Sequence, residues 1–310
     1  MNLPSTHDQL NRFVFDDLEV RGEIVQLHDV YGELFHKKQY PLCIKKILAQ
    51  LTMVCNLITV NLKIKGDITV EIRGDGLLRY ASVSSDNSLN FRGIARHNIA
   101  DPNSDCSFRE LVGSNSILLI TVHPADAEAY QGIVEVTGFN LSDTLENYFL
   151  RSEQIKTKIM LEIQIGQDEC FGGGIILQAL PPRSPGHEDD FNTVSHLLNT
   201  LTKDELLYLE SDEILFRLFN QFTVRKFNAL KVSYKCACTR EKCLVALEQL
   251  GQDEITKALK ESDQNAVVMT CSQCGKKYTF DSREIREFME RKDQDQDRDR
   301  DPEPGADQKK

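Results

Sequence analysis

Four cysteines in the last third of the chain have the spacing of a metal site. Cys236 and Cys238 form a C-x-C pair, and Cys271 and Cys274 form a C-x-x-C pair further along. Two close thiol pairs on one chain can supply the four sulfur ligands of a tetrahedral zinc site, because zinc binds deprotonated thiols. Gly275, directly after the second pair, permits the tight turn that directs both sulfurs inward. The sequence therefore predicts one metal ion, zinc, at these four residues.

A zinc ribbon that only stabilises the local fold is an alternative interpretation, and the spacing alone leaves it open. Such a ribbon would make the protein a constitutive interaction module without redox switching. That hypothesis explains metal binding, because a block this short needs a cross-link to fold. It gives no reason for the C-x-C pair and no role to the apolar helical segment just upstream. We keep it as the second hypothesis.

Charge and motif content argue against nucleic-acid binding and against catalysis. The chain has 37 Lys and Arg against 48 Asp and Glu, a net charge of -11, which a phosphate backbone repels. Basic and acidic residues between positions 231 and 288 nearly balance, so the metal-site region has no basic patch. No phosphate loop or catalytic triad motif occurs, and the seven histidines show no paired spacing. We expect no enzyme and no histidine metal site.

The other five of the nine cysteines have no spacing that indicates chemistry. Cys43 and Cys55 lie in an apolar helical stretch, where core packing is expected. Cys106 and Cys170 are isolated in the sequence, and Cys243 is interpreted as a bystander thiol near the first pair.

The chain is expected to be cytoplasmic and to have no membrane contact. No apolar run approaches the ~20 residues that cross a bilayer. Residues 1–17 lack the basic start and the apolar centre of a signal peptide. In a reducing compartment, clustered thiols bind metal or carry out redox chemistry more often than they form structural disulfides.

Residues 1–181 are predicted to form an α+β domain. A helix is predicted after Pro41 and another from Ser142 as N-cap, and Leu10, Phe13 and Val14 suggest a short helical face. The remaining patterns predict strands at 68–73, 77–84, 89–96, 116–122, 131–136, 158–165 and 174–180. Strands that follow one another without regular helical crossovers indicate a mostly antiparallel sheet.

Three further segments follow Pro181 and Pro182. Residues 182–230 are predicted to be a helical linker, with a capping box from Thr202 to Glu205. The predicted helices of this segment are too short to bury their apolar faces against one another, so these faces must pack on another part of the protein. Residues 231–288 are predicted to be a zinc-binding redox-switch domain. The charged tail, 289–310, is predicted to be disordered, because residues 291–310 have one apolar residue, Ala306.

The cysteine pattern and many other segments resemble the 33 kDa chaperonin family of redox-regulated heat-shock chaperones. The resemblance spans residues 7–288 in the order that the family shows. Besides the two cysteine pairs it rests on residues 7–10 (HDQL), 20–23 (VRGE), 66–70 (GDITV), 74–76 (GDG), 92–96 (RGIAR), 130–132 (YQG), 148–154 (YFLRSEQ), 239–243 (TREKC) and the helix predicted at 281–288. The charged tail departs from the family pattern.

The resemblance implies a chaperone that responds to oxidative stress and holds unfolded or oxidatively damaged proteins without ATP. It implies that Cys236, Cys238, Cys271 and Cys274 bind zinc while reduced, when the chaperone is inactive. Oxidation then forms the disulfides Cys236–Cys238 and Cys271–Cys274, zinc leaves, and the linker unfolds. The family further implies a homodimer when oxidised and transfer of clients to ATP-dependent foldase chaperones.

The linker mechanism has a simple physical basis. Zinc contributes on the order of 10–16 kcal/mol of apparent free energy to such small domains, so its loss is expected to melt the metal domain. The linker would then lose a packing partner, and exposed apolar surface is what a holdase needs. The apolar residues concerned are Leu197, Leu201, Leu215, Leu218 and Phe219.

Overall fold

The computed structural model describes residues 7–36, 38–61, 65–101, 103–166, 169–181, 189–262, 266–271 and 273–289. The chain divides into two compact units, Met1–Cys236 and Ala237–Lys310, here called the N-terminal and C-terminal units. The predicted boundaries at 181, 230 and 288 remain predictions. Residues 182–188 of the predicted linker, and all of the predicted tail except Met289, lie outside the described residues.

The N-terminal unit contains two six-stranded sheets and most of the helices. Its strands are β1 (Gln9–Phe15), β2 (Val20–Leu27), β3 (Gly66–Arg73), β4 (Leu78–Asp86), β5 (Asn90–His97), β6 (Ile117–Pro124), β7 (Tyr130–Glu135), β8 (Thr157–Ile165), β9 (Cys170–Ala179), β10 (Val224–Lys226), β11 (Leu230–Lys231) and β12 (Ser233–Tyr234). Its helices are α1 (Asp29–Phe35), α2 (Leu42–Thr59), α3 (Phe108–Val112), α4 (Leu141–Tyr148), the π-helix Phe149–Glu153, α5 (Asp190–Leu198), α6 (Lys203–Tyr208) and α7 (Ser211–Phe219).

Both sheets are essentially antiparallel, as predicted. The first sheet has the order β10-β1-β2-β9-β8, with β11 also paired to β1, and the second has the order β12-β5-β4-β3-β6-β7. Among the described strands, only the pairing of β12 with β5 is parallel. The α+β class and the seven predicted strands are confirmed, with end shifts of a few residues. The fourth helix begins two residues earlier than predicted, because Asn140 and not Ser142 caps it.

The prediction of a helical face at Leu10, Phe13 and Val14 is wrong. These residues belong to β1, which pairs with β2 on one side and with β10 and β11 on the other. Phe13 and Phe15 alternate with outward residues, the period of a strand. One of its two neighbouring strands, β10, lies about two hundred residues away in the chain, so the local pattern around Leu10 gives no sign of that pairing.

The main core lies around α2, which packs against strands of both sheets. By length and composition, this 18-residue helix of mean hydropathy 1.4 could span a membrane, so the expectation that no apolar segment approaches that length is wrong. Of the helix, 72% is buried inside the protein. Its apolar residues therefore form the centre of a folded unit, and they include Cys43 and Cys55, as predicted.

A second core joins α5, α6 and α7 to the opposite face of the first sheet. The sheet supplies Phe13, Phe15, Val20, Ile24, Ile175 and Leu177, and the helices supply Val194, Leu198, Leu206, Ile214, Leu215, Leu218 and Phe219 together with Leu201. The rings of Phe15 and Phe219 meet edge to face, with centroids 5.0 Å apart. Thr202 and Glu205 form the predicted capping box of α6. The neighbour that these three helices need is therefore the first sheet.

The C-terminal unit is small and has its own core. It contains α8 (Arg240–Leu250), α9 (Gln252–Glu261), the hairpin of β13 (Ala266–Thr270) and β14 (Lys277–Asp281), and a helix at 282–289. Among the residues described, its core cluster consists of six buried side chains, Leu244, Leu247, Ile255, Tyr278, Phe280 and Ile285. A core of this size supplies little stability by itself, so a cross-link has a clear structural use here.

Candidate metal centre

Two turns of the chain present the four predicted cysteines. Cys236 and Cys238 lie between β12 and α8, and the side chain of Thr239 caps α8 by accepting a hydrogen bond from the Lys242 N–H. Cys271 and Cys274 lie in the turn between β13 and β14. That turn closes with a hydrogen bond from the Gly275 N–H to the Cys271 carbonyl at 2.9 Å. Gly275 has a φ of +67°, which glycine adopts without strain.

The four thiols converge on one point. Their Sγ atoms all lie within 4.8 Å of one another, and Cys238 Sγ lies 3.4 Å from Cys274 Sγ. Sulfurs bound at about 2.3 Å to one tetrahedral zinc ion stand about 3.8 Å apart. All four residues are half-buried, and none of the four is in a disulfide bond. The donor set and its spacing therefore fit a soft divalent ion such as zinc.

Tyr278 supports the first cysteine pair. Its hydroxyl lies 3.0 Å from the Cys238 carbonyl oxygen and 3.2 Å from Cys238 Sγ. The hydrogen bond with the Cys238 thiol, together with burial and the nearby sulfurs, raises the pKa of the Tyr278 hydroxyl. The hydroxyl therefore stays protonated and can donate to the sulfur. Such outer contacts orient metal ligands.

Arg240 ties the start of α8 to the segment that follows the second cysteine pair. Its guanidinium donates to both carboxylate oxygens of Glu284, at 2.6 and 2.5 Å, and to the Thr279 carbonyl oxygen at 2.6 Å. It also lies 4.5 Å from the centroid of the Phe280 ring. Because Arg240 comes two residues after Cys238, these contacts hold the two cysteine-bearing segments of the C-terminal unit together. Neither Arg240 nor Tyr278 was identified as a site residue from the sequence.

Cys243 lies near the four thiols but is not a member of the group. It is half-buried on α8 and packs against the core of the C-terminal unit. Burial raises the pKa of its thiol, and Cys238 and Cys271 raise it further. This environment agrees with the interpretation of Cys243 as a bystander thiol.

A second group of ligand atoms lies in the N-terminal unit, where the sequence predicted none. His7, His28 and Asp29 offer ligand atoms that all lie within 4.8 Å of one another. His7 is at the start of the described chain and His28 precedes α1, so their spacing in sequence carries no signal. The pairing of β1 with β2 brings them together.

The chain is similar to known proteins in sequence and in fold. The family model described as Hsp33 protein matches residues 8–281. The 33 kDa chaperonin of Aeromonas salmonicida is 38% identical over 287 residues, which cover 93% of this chain and 96% of that protein. That of Sodalis glossinidius is 38% identical over 286 residues, covering 92% and 96%. The crystal structure of the 33 kDa chaperonin of Thermotoga maritima has the same fold, with a TM-score of 0.78 and 22% identity over 93% of this chain and all of that one.

Proposed function

Because the chain belongs to the Hsp33 family, we propose that it is a redox-regulated chaperone that holds unfolding proteins without ATP. The observation that supports this most is the convergence of four reduced thiols within 4.8 Å. A set of thiols at this spacing can bind a metal ion when reduced and form disulfides when oxidised. The proposal thus gives both cysteine pairs a role.

In the reduced state, Cys236, Cys238, Cys271 and Cys274 are proposed to hold one zinc ion as thiolates. The ion would supply the cross-link that the small core of the C-terminal unit lacks. Tyr278 positions the Cys238 sulfur, and Arg240 joins the segments that carry Cys238 and Cys274. In this state the chaperone is proposed to be inactive.

Oxidation is proposed to join Cys236 to Cys238 and Cys271 to Cys274. An oxidant such as peroxide takes two electrons and two protons from each pair of thiols and is reduced to water as the S–S bond forms. Disulfide sulfurs are poor metal ligands. The oxidised cysteines therefore no longer retain the ion, and the C-terminal unit loses its cross-link. The short distance between the members of each pair in sequence favours this pairing once the chain around them is free to move.

Helices α5, α6 and α7 are proposed to detach from the first sheet after the C-terminal unit unfolds. The strands between α7 and Cys236, namely β10, β11 and β12, have two or three residues each. Such short elements open at low cost. Detachment would expose Leu197, Leu215, Leu218 and Phe219 of the helices, Leu201 between α5 and α6, and the aromatic residues of β1. Apolar surface of this kind binds unfolded chains.

The remaining parts of the proposal concern partners and place of action. The partners are unfolded or oxidatively damaged proteins, and a second copy of the chain in the oxidised form. ATP-dependent foldases are proposed to receive the clients downstream. The protein is proposed to act in the cytoplasm, not as an enzyme and without nucleic acid or membrane.

Light scattering by a thermally unfolding client tests the function. Reduced, zinc-loaded protein is compared with peroxide-treated protein, and released zinc is measured in the same samples. We expect only the oxidised protein to suppress aggregation, and zinc release to precede the suppression. A Cys243→Ser variant, which keeps the four thiols, is the matched control and should behave like the wild type. Equal behaviour of the reduced and oxidised proteins would instead support a constitutive zinc-ribbon module.

A further inference from the structure

The N-terminal unit holds a group of metal-ligating side chains that the chaperone switch does not use. We propose that His7, His28 and Asp29 bind a divalent transition-metal ion such as Zn²⁺ through two imidazoles and one carboxylate. This site shares no residue with the four cysteines. It stands whether or not the proposed function is correct.

The distances match the spacing of ligands around one ion. Asp29 Oδ2 lies 3.2 Å from His7 Nε2, a hydrogen bond that a bound ion would replace, and Asp29 Oδ1 lies 2.8 Å from His28 Nδ1. Ligand atoms about 2.0–2.1 Å from a zinc ion stand about 3.3 Å apart at the tetrahedral angle. The carboxylate is therefore placed at ligand spacing from both imidazoles.

The Nδ1 atom of His28 lacks a hydrogen-bond partner. It is buried and has no assigned hydrogen bond, although Asp29 Oδ1 is only 2.8 Å away. A ring nitrogen and a carboxylate oxygen that approach this closely can both bind one cation placed between them. A bound ion would satisfy this buried nitrogen, and imidazole is the commonest protein ligand for such ions.

Neighbouring contacts hold the His28 ring in place. The ring stacks on Phe171 with centroids 4.5 Å apart and planes 4° from parallel. The His28 N–H donates to Asp8 Oδ1 at 2.8 Å, which fixes the backbone at the same position. The rings of His7 and His28 lie edge to face, 5.1 Å apart. Fixed ligands of this kind lower the entropy that metal binding must overcome.

The local charge also favours a divalent cation. Asp8 and Asp29 bring two negative charges to two imidazoles, so a doubly charged ion balances the group. Three protein ligands leave a fourth position for water, as in other zinc sites with two histidines and a carboxylate.

None of the three proposed ligands is a thiol, so oxidation should affect this site less than the cysteine site. Peroxide oxidises cysteines but leaves imidazole and carboxylate ligands in their binding form. This site is therefore expected to keep its ion when the cysteine site loses its own. The chain would retain one metal ion through oxidation.

Equilibrium dialysis of the full-length reduced protein against micromolar Zn²⁺, with metal content measured by mass spectrometry, tests the site. We expect the wild type to bind one more equivalent than Asp29→Asn or His28→Gln. The exposed His36, at the other end of α1, supplies the matched control, and His36→Gln should bind as the wild type does. The difference of one equivalent should persist after peroxide treatment.

Equal zinc content in the wild type and in folded Asp29→Asn overturns the proposal. Asp29 has 68% of its side chain exposed, so this variant is expected to fold, and circular dichroism checks that it does. Zinc that binds equally to all the variants is bound elsewhere, which also overturns it. The zinc bound by the four cysteines contributes equally to the wild type and to these variants, so it does not affect the difference between them. The experiment can therefore overturn the histidine site without overturning the proposed function, and the reverse also holds.

Discussion

Cys238 Sγ lies 3.4 Å from Cys274 Sγ, although 36 residues separate them in the chain. The contact joins one member of each cysteine pair. In the reduced protein the two pairs are thus closely associated, which suits a shared ion. The proposed oxidised form instead has disulfides within each pair. Oxidation therefore has to replace the contact between the two pairs with the disulfides Cys236–Cys238 and Cys271–Cys274.

The cysteine contact predicts a strong effect of a single serine substitution. Cys274→Ser should lower zinc affinity by more than about 100-fold, because loss of a ligand exceeds the 10–100-fold effect of losing an outer contact. Competition with a chromophoric chelator measures the affinity. Cys243→Ser is the control, since Cys243 lies outside the group of four, and it should change affinity little. Equal losses in both variants would make Cys243 a ligand.

Arg240 is predicted to stabilise the C-terminal unit through Glu284 and Thr279. Arg240→Ala removes three hydrogen bonds and the contact with the Phe280 ring, so the thermal midpoint of this unit should fall by several degrees. Zinc should also leave at a lower chelator concentration. Arg283→Ala is the matched control, because Arg283 makes an exposed ion pair with Glu287 within one helix. Similar midpoints for the two variants would contradict the role of Arg240.

The second core is predicted to restrain the helices that the proposed function releases. Leu218→Ala leaves a cavity between α7 and the first sheet and should cost about 2–5 kcal/mol of packing free energy. The reduced variant should therefore suppress client aggregation in part, without oxidant. Phe216→Ala on the same helix is the control, because 74% of Phe216 is exposed. An inactive reduced Leu218→Ala protein with the expected loss of stability would argue against release of these helices.

Glu23 is predicted to make the stability of the N-terminal unit depend on pH. Burial raises the pKa of its carboxyl to about 7, although Asn61 donates to Oε1 at 3.0 Å. The folded state therefore holds its proton more tightly than the unfolded state does. The free energy of unfolding should fall as the pH rises from about 4.5 to about 7, by about 3 kcal/mol in total, and then level off.

Thermal unfolding of the wild type and of Glu23→Gln at several pH values between about 5 and about 8 measures this effect. The quantity compared is the difference in stability between the two proteins at each pH. Glu23→Gln should be more stable than the wild type at the alkaline end and similar to it at the acidic end. Glu33→Gln removes an exposed carboxyl on α1 and serves as the control. A wild-type profile parallel to that of Glu23→Gln would show that Glu23 does not titrate in this range.

The features that could be predicted from the sequence depend on neighbours in the chain. The strands of the second sheet follow turn residues, and Thr202 and Glu205 cap α6 from three residues apart. The C-x-C and C-x-x-C spacings are visible in the sequence itself, so the four cysteines could be predicted as metal ligands. Tyr278 and Arg240 could not be recognised, because their partners Cys238 and Glu284 lie about forty residues away and no motif marks the contact.

The sequence by itself determined the chemistry available to this protein: two thiol pairs at ligand spacing, an acidic surface, and local elements of an α+β fold. The tertiary structure decided which distant groups meet. Pairing with β2 and β10 made β1 a strand, turned Phe13 and Phe15 toward α7, and brought His7 to His28. It also buried Glu23. Local patterns record the preferences of short segments, whereas burial and long-range contacts depend on which segments pack together, and this is settled only when the whole chain folds.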